Sequence, residues 1–110
     1  EVVGDVNGRV RLLVDDMIDT AGTICQAAEA LRAHGASAVI AAATHPILSG
    51  PAAQRLNASA FEEVIVPNTL PIRDDLVIPT LTVLSIAPLL AKAIQEVFVD
   101  GSVTSLFGVE

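Results

Sequence analysis

Apolar residues along this chain follow two alternating spacings. Short, nearly continuous apolar runs predict four strands, the first expected to be buried on both faces: residues 9–14, 38–43, 63–66 and 81–84. Between them, apolar side chains at helical spacing predict two long helices, around residues 24–31 and 86–98. This alternation of strand and helix is typical of an α/β fold in which helices flank a parallel, twisted sheet.

Turn and capping residues mark the expected ends of these elements. Residues 2–8 predict an edge strand that closes in an Asn-Gly turn. Thr23 fits a capping box at the start of the first long helix, and Gly35 fits its end. Ser85 fits the cap of the last helix, after a long proline-containing connection at residues 68–79.

Composition limits the classes of protein that are possible. The 110 residues suffice for one domain, residues 1–110, and their 52% apolar fraction indicates contact with another domain or subunit. A single cysteine excludes an intramolecular disulfide. No apolar run reaches the roughly 18 residues that a membrane span needs. The chain does not begin with the basic residues typical of a signal peptide. A cytoplasmic protein without membrane contact is therefore expected. The net charge of −7 argues against nucleic-acid binding.

The stretch VDDMIDTAGT at residues 14–23 carries the candidate chemistry. Its two adjacent acidic residues, Asp15 and Asp16, are expected just after a buried strand, where carboxylates can accept hydrogen bonds from sugar hydroxyls. The turn that follows opens a helix, whose free backbone amides suit a phosphate: Asp19, Thr20, Ala21, Gly22 and Thr23. The spacing therefore predicts a site for a phosphorylated sugar.

Charge constrains how such a phosphate is held. No Lys or Arg occurs between Arg11 and Arg32. Backbone amides and the helix dipole must then supply most of the attraction, about 0.3–1 kcal/mol for each charge interaction at an exposed terminus. Phosphoryl transfer would need cations from elsewhere. Of the other polar residues, His45 is interpreted as a strand-end histidine bonded to backbone.

The same stretch resembles the phosphoribosyl-pyrophosphate motif of type I phosphoribosyltransferases. Four further blocks are similar to the carboxyl-terminal half of the ribose-phosphate pyrophosphokinase family, also called phosphoribosyl pyrophosphate synthetases: ATHPILSGPAAQRL (43–56), VPNTLPI (66–72), LTVLSIAPLLAKAI (81–94) and GSVTSLF (101–107). The resemblance covers nearly the whole chain. It implies a phosphoribosyltransferase-like fold and a chain that forms the carboxyl-terminal part of a longer two-domain protein.

The resemblance also implies an activity and roles for residues. The activity is transfer of diphosphate from ATP to the C1 hydroxyl of ribose 5-phosphate, with Mg²⁺. Asp15 and Asp16 would face the ribose hydroxyls, and residues 19–23 would hold the 5-phosphate. Ser102, Thr104 and Phe107 match a segment that borders a regulatory site in the family, although an ordinary terminal segment is an equal alternative. Dimers that assemble into a hexamer are expected.

Two departures from the family pattern matter. The loop has Ala21 where the motif usually has a glycine, and a left-handed backbone there would cost Ala about 1–2 kcal/mol. The family's catalytic loop and main metal ligands have no counterpart in these residues, so no catalytic residue is assigned and the chain alone is expected to be inactive. The alternatives are a phosphoribosyltransferase that uses the same loop and a non-catalytic regulatory homologue.

Overall fold

A four-stranded parallel sheet is the framework of the chain in a computed structural model, which describes residue 2 and residues 4–107. The strands β1 (Val10–Ile18), β2 (Ala38–Pro46), β3 (Phe61–Pro67) and β4 (Leu81–Leu84) lie in the order β1-β2-β3-β4. The helices are α1 (Gly22–Ala33), α2 (Ala52–Asn57) and α3 (Ala87–Phe98), followed by a 3₁₀ helix at Val103–Phe107. The predicted α/β fold with a parallel sheet flanked by helices is confirmed.

One face of the sheet forms the core together with α1 and α2. Strand side chains alternate between the two faces, and on this face those of β2 and β3 are almost fully buried: Val39, Ala41, Ala43, Val64 and Val66. Ile24 and Ala28 of α1 and Leu56 of α2 belong to the same cluster. The core is mainly aliphatic and rich in alanine, and Phe61 is its aromatic member. We call this side the covered face.

The opposite side, here the open face, remains in contact with solvent. Leu12 is 59% exposed and Val14 is 75% exposed on β1. No residue of α3 is buried, and Phe98 at its end is 90% exposed. The expectation that β1 is buried on both faces is therefore wrong, because β1 is an edge strand and the described residues leave its open-face side chains without a cover.

The structure moves several element boundaries. No strand precedes Val10 among the described residues, although the predicted turn occurs at Asn7 and Gly8. β1 continues to Ile18, four residues beyond its predicted end, because it pairs with β2 as far as Ile18 and Pro46. By contrast, β4 has its predicted bounds, and residues 68–80 form the expected long connection.

The ends of α1 follow the sequence only in part. The predicted capping box at Thr23 is absent, because the helix already begins at Gly22 and places Thr23 inside its first turn. At the other end Gly35 adopts φ of 93° and its amide donates to the Arg32 carbonyl at 3.0 Å, so the predicted stop is confirmed. In the described part of the chain, none of the helices combines the length and hydrophobicity that crossing a bilayer requires.

Candidate functional site

A pocket of about 180 Å³ lies where β1 ends and α1 begins. Its lining consists of Asp15, Met17 and the continuous stretch of residues 18–24. Six of the seven residues predicted to bind a phosphorylated sugar line it: Asp15, Asp19, Thr20, Ala21, Gly22 and Thr23. The parallel sheet thus brings a carboxylate of β1 together with the start of a helix, as parallel sheets do at their carboxyl edges.

The two predicted acidic residues do not occupy equivalent positions. Asp15 and Asp16 both lie inside β1 rather than after it, so their side chains leave the strand on opposite faces. Asp15 lines the pocket, whereas Asp16 is absent from its lining. The Asp16 amide donates to the Asp15 carboxylate at 2.7 Å, which orients the Asp15 side chain. A sugar-binding role for Asp16 stays a prediction.

Ala21 adopts a left-handed backbone conformation, with φ of 66° and ψ of 9°. For a residue that carries a Cβ atom, this conformation costs about 1–2 kcal/mol. The sequence left open whether this position needs a left-handed backbone or only a close approach, and the structure has the left-handed one. The Ala21 side chain is only 5% exposed, so its methyl group packs into the core and offsets part of the strain.

The first turn of α1 offers backbone N–H groups to an anion. Ala21 precedes the helix and, within the described residues, no side chain caps it. The first intrahelical bond runs from the Cys25 amide to the Ala21 carbonyl at 3.2 Å, so the amides of Gly22, Thr23 and Ile24 have no partner within the helix. No acidic residue lies in this first turn. Free amides and the helix dipole together favour a phosphate.

The connection between β2 and α2 forms hydrogen bonds with the chain where the turn at residues 19–23 begins. The Ser49 amide donates to the Asp19 carbonyl at 2.9 Å, and the Ser49 hydroxyl donates to the Asp19 carboxylate. Leu48 is buried, and its amide donates to the Ile18 carbonyl at 2.9 Å. These bonds fix the chain just before the helix, so the pocket does not depend on a ligand for its shape.

Arg55 is the residue of this region that the sequence interpretation missed. It lies in α2, and its Nη1 donates to the Thr20 carbonyl at 3.2 Å. The turn therefore has a cation beside it, although none occurs near it in the sequence. The adjacent strands β1 and β2 explain why α2 lies close, but the rotation that turns Arg55 towards Thr20 depends on packing that no local pattern records.

Cys25 lies beside Arg55 in the first half of α1. Burial raises the pKa of the Cys25 thiol, while a hydrogen bond with Ser59 and the charge of Arg55 lower it by a smaller amount. The thiol is therefore a poor nucleophile near neutral pH. Its half-buried position indicates a packing residue of the covered face.

The other residues singled out in the sequence lie away from this pocket. His45 bonds a side chain rather than the expected backbone: the Thr69 hydroxyl donates to the Thr44 carbonyl at 2.7 Å, and its oxygen lies 3.2 Å from His45 Nδ1. Of the three residues of the predicted regulatory segment, Ser102 and Thr104 have their hydroxyl oxygens 2.7 Å apart. The side chain of Phe107 lies outside the described residues, and a regulatory role for the three stays a prediction.

Divalent cations have no site built by the described residues alone. No group of three or more His, Cys, Asp or Glu side chains comes together in residue 2 or residues 4–107. Mg²⁺ characteristically binds through one or two carboxylates completed by substrate phosphates and water. The carboxylates of β1 therefore do not make a complete Mg²⁺ site.

Comparison with known proteins places this geometry in a family. The family model described as "Phosphoribosyl synthetase-associated domain" matches residues 1–108. A protein named ribose-phosphate pyrophosphokinase from Streptomyces coelicolor is 64% identical over 107 residues, which are 97% of this chain and 33% of that protein. Another of that name, from Mycobacterium tuberculosis, is 62% identical over 106 residues, 96% of this chain and 32% of its own length.

A solved structure agrees with these sequences. The crystal structure of phosphoribosylpyrophosphate synthetase from Mycobacterium smegmatis superposes with a TM-score of 0.85 at 60% identity, over 90% of this chain and 33% of that one. The chain thus spans about a third of the length of these relatives, and the expected extent of a half is wrong. With a family model that matches nearly every residue, the chain belongs to the phosphoribosyl synthetase-associated domain family.

Proposed function

We propose that the pocket between β1 and α1 binds ribose 5-phosphate. One observation carries the proposal: the Asp15 carboxylate and the free amides at the start of α1 line the same small pocket. The first suits the hydroxyls of a sugar and the second suits its phosphate, so the pocket offers complementary groups to both ends of one small molecule.

Each of the seven residues predicted to bind the phosphorylated sugar has a role in this proposal. The amides of Ala21, Gly22 and Thr23 donate to the phosphate oxygens, and the hydroxyls of Thr20 and Thr23 add further donors. Asp15 accepts hydrogen bonds from the ribose hydroxyls. Asp19 belongs to the phosphate-binding turn mainly as an anchor, because Ser49 already engages both its carbonyl and its carboxylate. Asp16 does not line the pocket, so its contact with the sugar is proposed to be weaker than that of Asp15.

We further propose that the chain is one domain of a longer, two-domain ribose-phosphate diphosphokinase. That enzyme transfers diphosphate from ATP to the C1 hydroxyl of ribose 5-phosphate and releases AMP together with phosphoribosyl pyrophosphate. The names of the relatives support this activity. ATP, Mg²⁺ and the catalytic cations would be held by other parts of that protein, in the cytoplasm. This chain contributes the ribose 5-phosphate site.

Self-association also belongs to the proposal. The open face and α3 expose large apolar side chains, among them Val14 and Phe98, beyond what an isolated domain of this size usually leaves in water. We propose that a homo-oligomer covers part of this surface. Ser102, Thr104 and Phe107 would then border a regulatory site near the 3₁₀ helix.

Titration calorimetry on the chain tests the proposed ligand. Ribose 5-phosphate is expected to bind more tightly than either ribose or inorganic phosphate alone, because only the complete molecule engages Asp15 and the amides together. Addition of ATP and Mg²⁺ to that mixture is expected to give no AMP from this chain. Equal affinity for ribose 5-phosphate and inorganic phosphate would contradict a sugar-phosphate site, and AMP release would contradict the assignment of catalysis to other parts of the protein.

A further inference from the structure

Arg55 contacts the 19–23 turn on the side away from the pocket. Its Nη1 donates to the Thr20 carbonyl at 3.2 Å, yet Arg55 is absent from the lining of the pocket itself. The same guanidinium also lies against Gly22: a Cβ atom added to Gly22 would be 3.0 Å from Nη1 and 3.7 Å from Cζ. The guanidinium therefore packs against the back of the turn.

Because the peptide bond is planar, a contact with a backbone carbonyl also sets the direction of the N–H group that follows it. In a trans peptide the C=O of one residue and the N–H of the next point in opposite directions. Because the Thr20 carbonyl points to Arg55, the Ala21 N–H points away from α2. In the same way, the Asp19 carbonyl points to the Ser49 amide, and the Thr20 N–H points away from it. Both amides therefore point away from α2 and its preceding connection, and the two residues that carry them line the pocket.

We infer that Arg55 is a positioning residue of the anion site: it holds the Thr20 carbonyl, directs the Ala21 N–H at the phosphate and fixes the left-handed Ala21. As far as the ligand is concerned, the inference rests on the proposed function. It also brings a positive charge close to a turn whose own sequence has none between Arg11 and Arg32, which favours an anion there.

The contact with Arg55 gives a different explanation for the presence of a glycine at position 22. A glycine in a phosphate-binding turn is usually explained by the close approach of the ligand to the backbone. An added Cβ atom would instead meet Arg55, which does not line the candidate pocket. The absence of a side chain at Gly22 therefore makes room for the guanidinium, and the two residues should act as one unit.

Four variants in the full chain test the inference: Arg55→Met, Arg55→Lys, Gly22→Ala, and Gly22→Ala combined with Arg55→Met. Arg32→Met is the matched control, because Arg32 Nη1 also donates to backbone carbonyls, of Ala36 and Ser37, at the far end of α1. The probes are ribose 5-phosphate and inorganic phosphate in titration calorimetry, with a urea midpoint for each variant. The Met variants keep the apolar stem and remove one positive charge in each case.

The Kd for ribose 5-phosphate is expected to rise about five- to tenfold in Arg55→Met, with partial rescue in Arg55→Lys and no change in Arg32→Met. Gly22→Ala should weaken binding by a similar factor, since the added methyl group displaces the guanidinium. The double variant should bind no more weakly than Arg55→Met alone. The urea midpoints of Arg55→Met and Arg32→Met should agree.

The outcomes separate the two proposals. A wild-type chain that binds neither probe contradicts the proposed function and removes the inference with it. Wild-type binding that survives Arg55→Met unchanged overturns the inference alone. Full additivity of Gly22→Ala and Arg55→Met also overturns it, because Gly22 would then serve the phosphate directly. A urea midpoint lowered only in Arg55→Met, with the loss of binding in proportion, would assign Arg55 to general stability instead.

Discussion

The two faces of the sheet differ in what their apolar side chains contact. On the covered face, Val39, Ala41, Val64 and Val66 are completely buried beneath α1 and α2. On the open face of β1, apolar side chains of similar size remain mostly exposed. Both sets belong to strands of one sheet, and both include valine, a residue of high β propensity. Apolar sequence therefore indicates that a side chain is suited to burial, while the elements packed on each face decide whether it is buried.

The same division separates the candidate site from the rest of the molecule. The 19–23 turn belongs to the covered side, where Ser49 and Arg55 hold it. α3 buries none of its residues. A rigid support on one side and an apolar surface on the other agree with a binding site built into a larger assembly. The first two of the following predictions compare a residue of the covered side with a counterpart on the open face.

The largest expected effect is the loss of a leucine from the core. Leu56 in α2 is 1% exposed, whereas Leu12 on the open face is 59% exposed. Leu56→Ala should lower the free energy of unfolding by about 2–5 kcal/mol, because it leaves a cavity. Leu12→Ala should change it by about 0.5 kcal/mol or less. Urea unfolding measures both. Equal losses would mean that the open face is covered in the protein as purified.

The acidic pair should show the next largest difference. Asp15 lines the pocket, and Asp16 leaves the strand on the other face. Asp15→Asn should weaken ribose 5-phosphate binding by about 10- to 100-fold, the value of a hydrogen bond to a charged group. Asp16→Asn should weaken it less. Titration calorimetry gives both constants, with inorganic phosphate as the control ligand. A larger effect of Asp16→Asn would place the sugar on the open face.

Relief of the strained turn should have a smaller effect, of the opposite sign. Ala21→Gly removes the cost of about 1–2 kcal/mol that a left-handed backbone has for alanine. It also loses a buried methyl group and increases the conformational entropy of the unfolded chain. A net gain of about 0.5 kcal/mol in the free energy of unfolding is expected. Ala28→Gly, in the regular part of α1, is the control and should destabilise the chain. Thermal unfolding follows both variants. A clear loss of stability in Ala21→Gly would show that packing of its methyl group outweighs the strain.

The smallest expected effect concerns Cys25. Burial raises the pKa of its thiol, so at about pH 8 the folded chain should react more slowly with an uncharged thiol reagent than the urea-unfolded chain does. The protonated thiol favours the folded state, and this contribution is present below the unfolded pKa and lost as the pH rises through the folded pKa. Cys25→Ser should remove this pH dependence. Equal rates of folded and unfolded chain would rule out a buried thiol.

The sequence pattern predicted correctly those element boundaries that depend only on neighbouring residues in the chain. The bounds of β4 and the stop at Gly35 follow from apolar runs and from a glycine with positive φ. The end of β1 did not follow, since pairing with β2 extends the strand through two polar aspartates. The capping box failed because the helix begins one residue before Thr23.

The candidate site was likewise predictable only where its residues are close together in the sequence. Six of its residues lie in one continuous motif, so their gathering needs no tertiary information. Arg55 is 35 positions away from Thr20, and its approach depends on how α2 is rotated over the sheet. Long-range placement of this kind leaves no periodic trace in a single sequence.

The strand order β1-β2-β3-β4 has a consequence for how the chain is made. From β2 onwards, each strand pairs with the strand that precedes it in sequence, so during synthesis each of these strands meets a partner that has already left the ribosome. The turn at residues 19–23 emerges before Ser49 and Arg55 do. The anion pocket can therefore take its final shape only when translation has passed α2, well before the last helix exists.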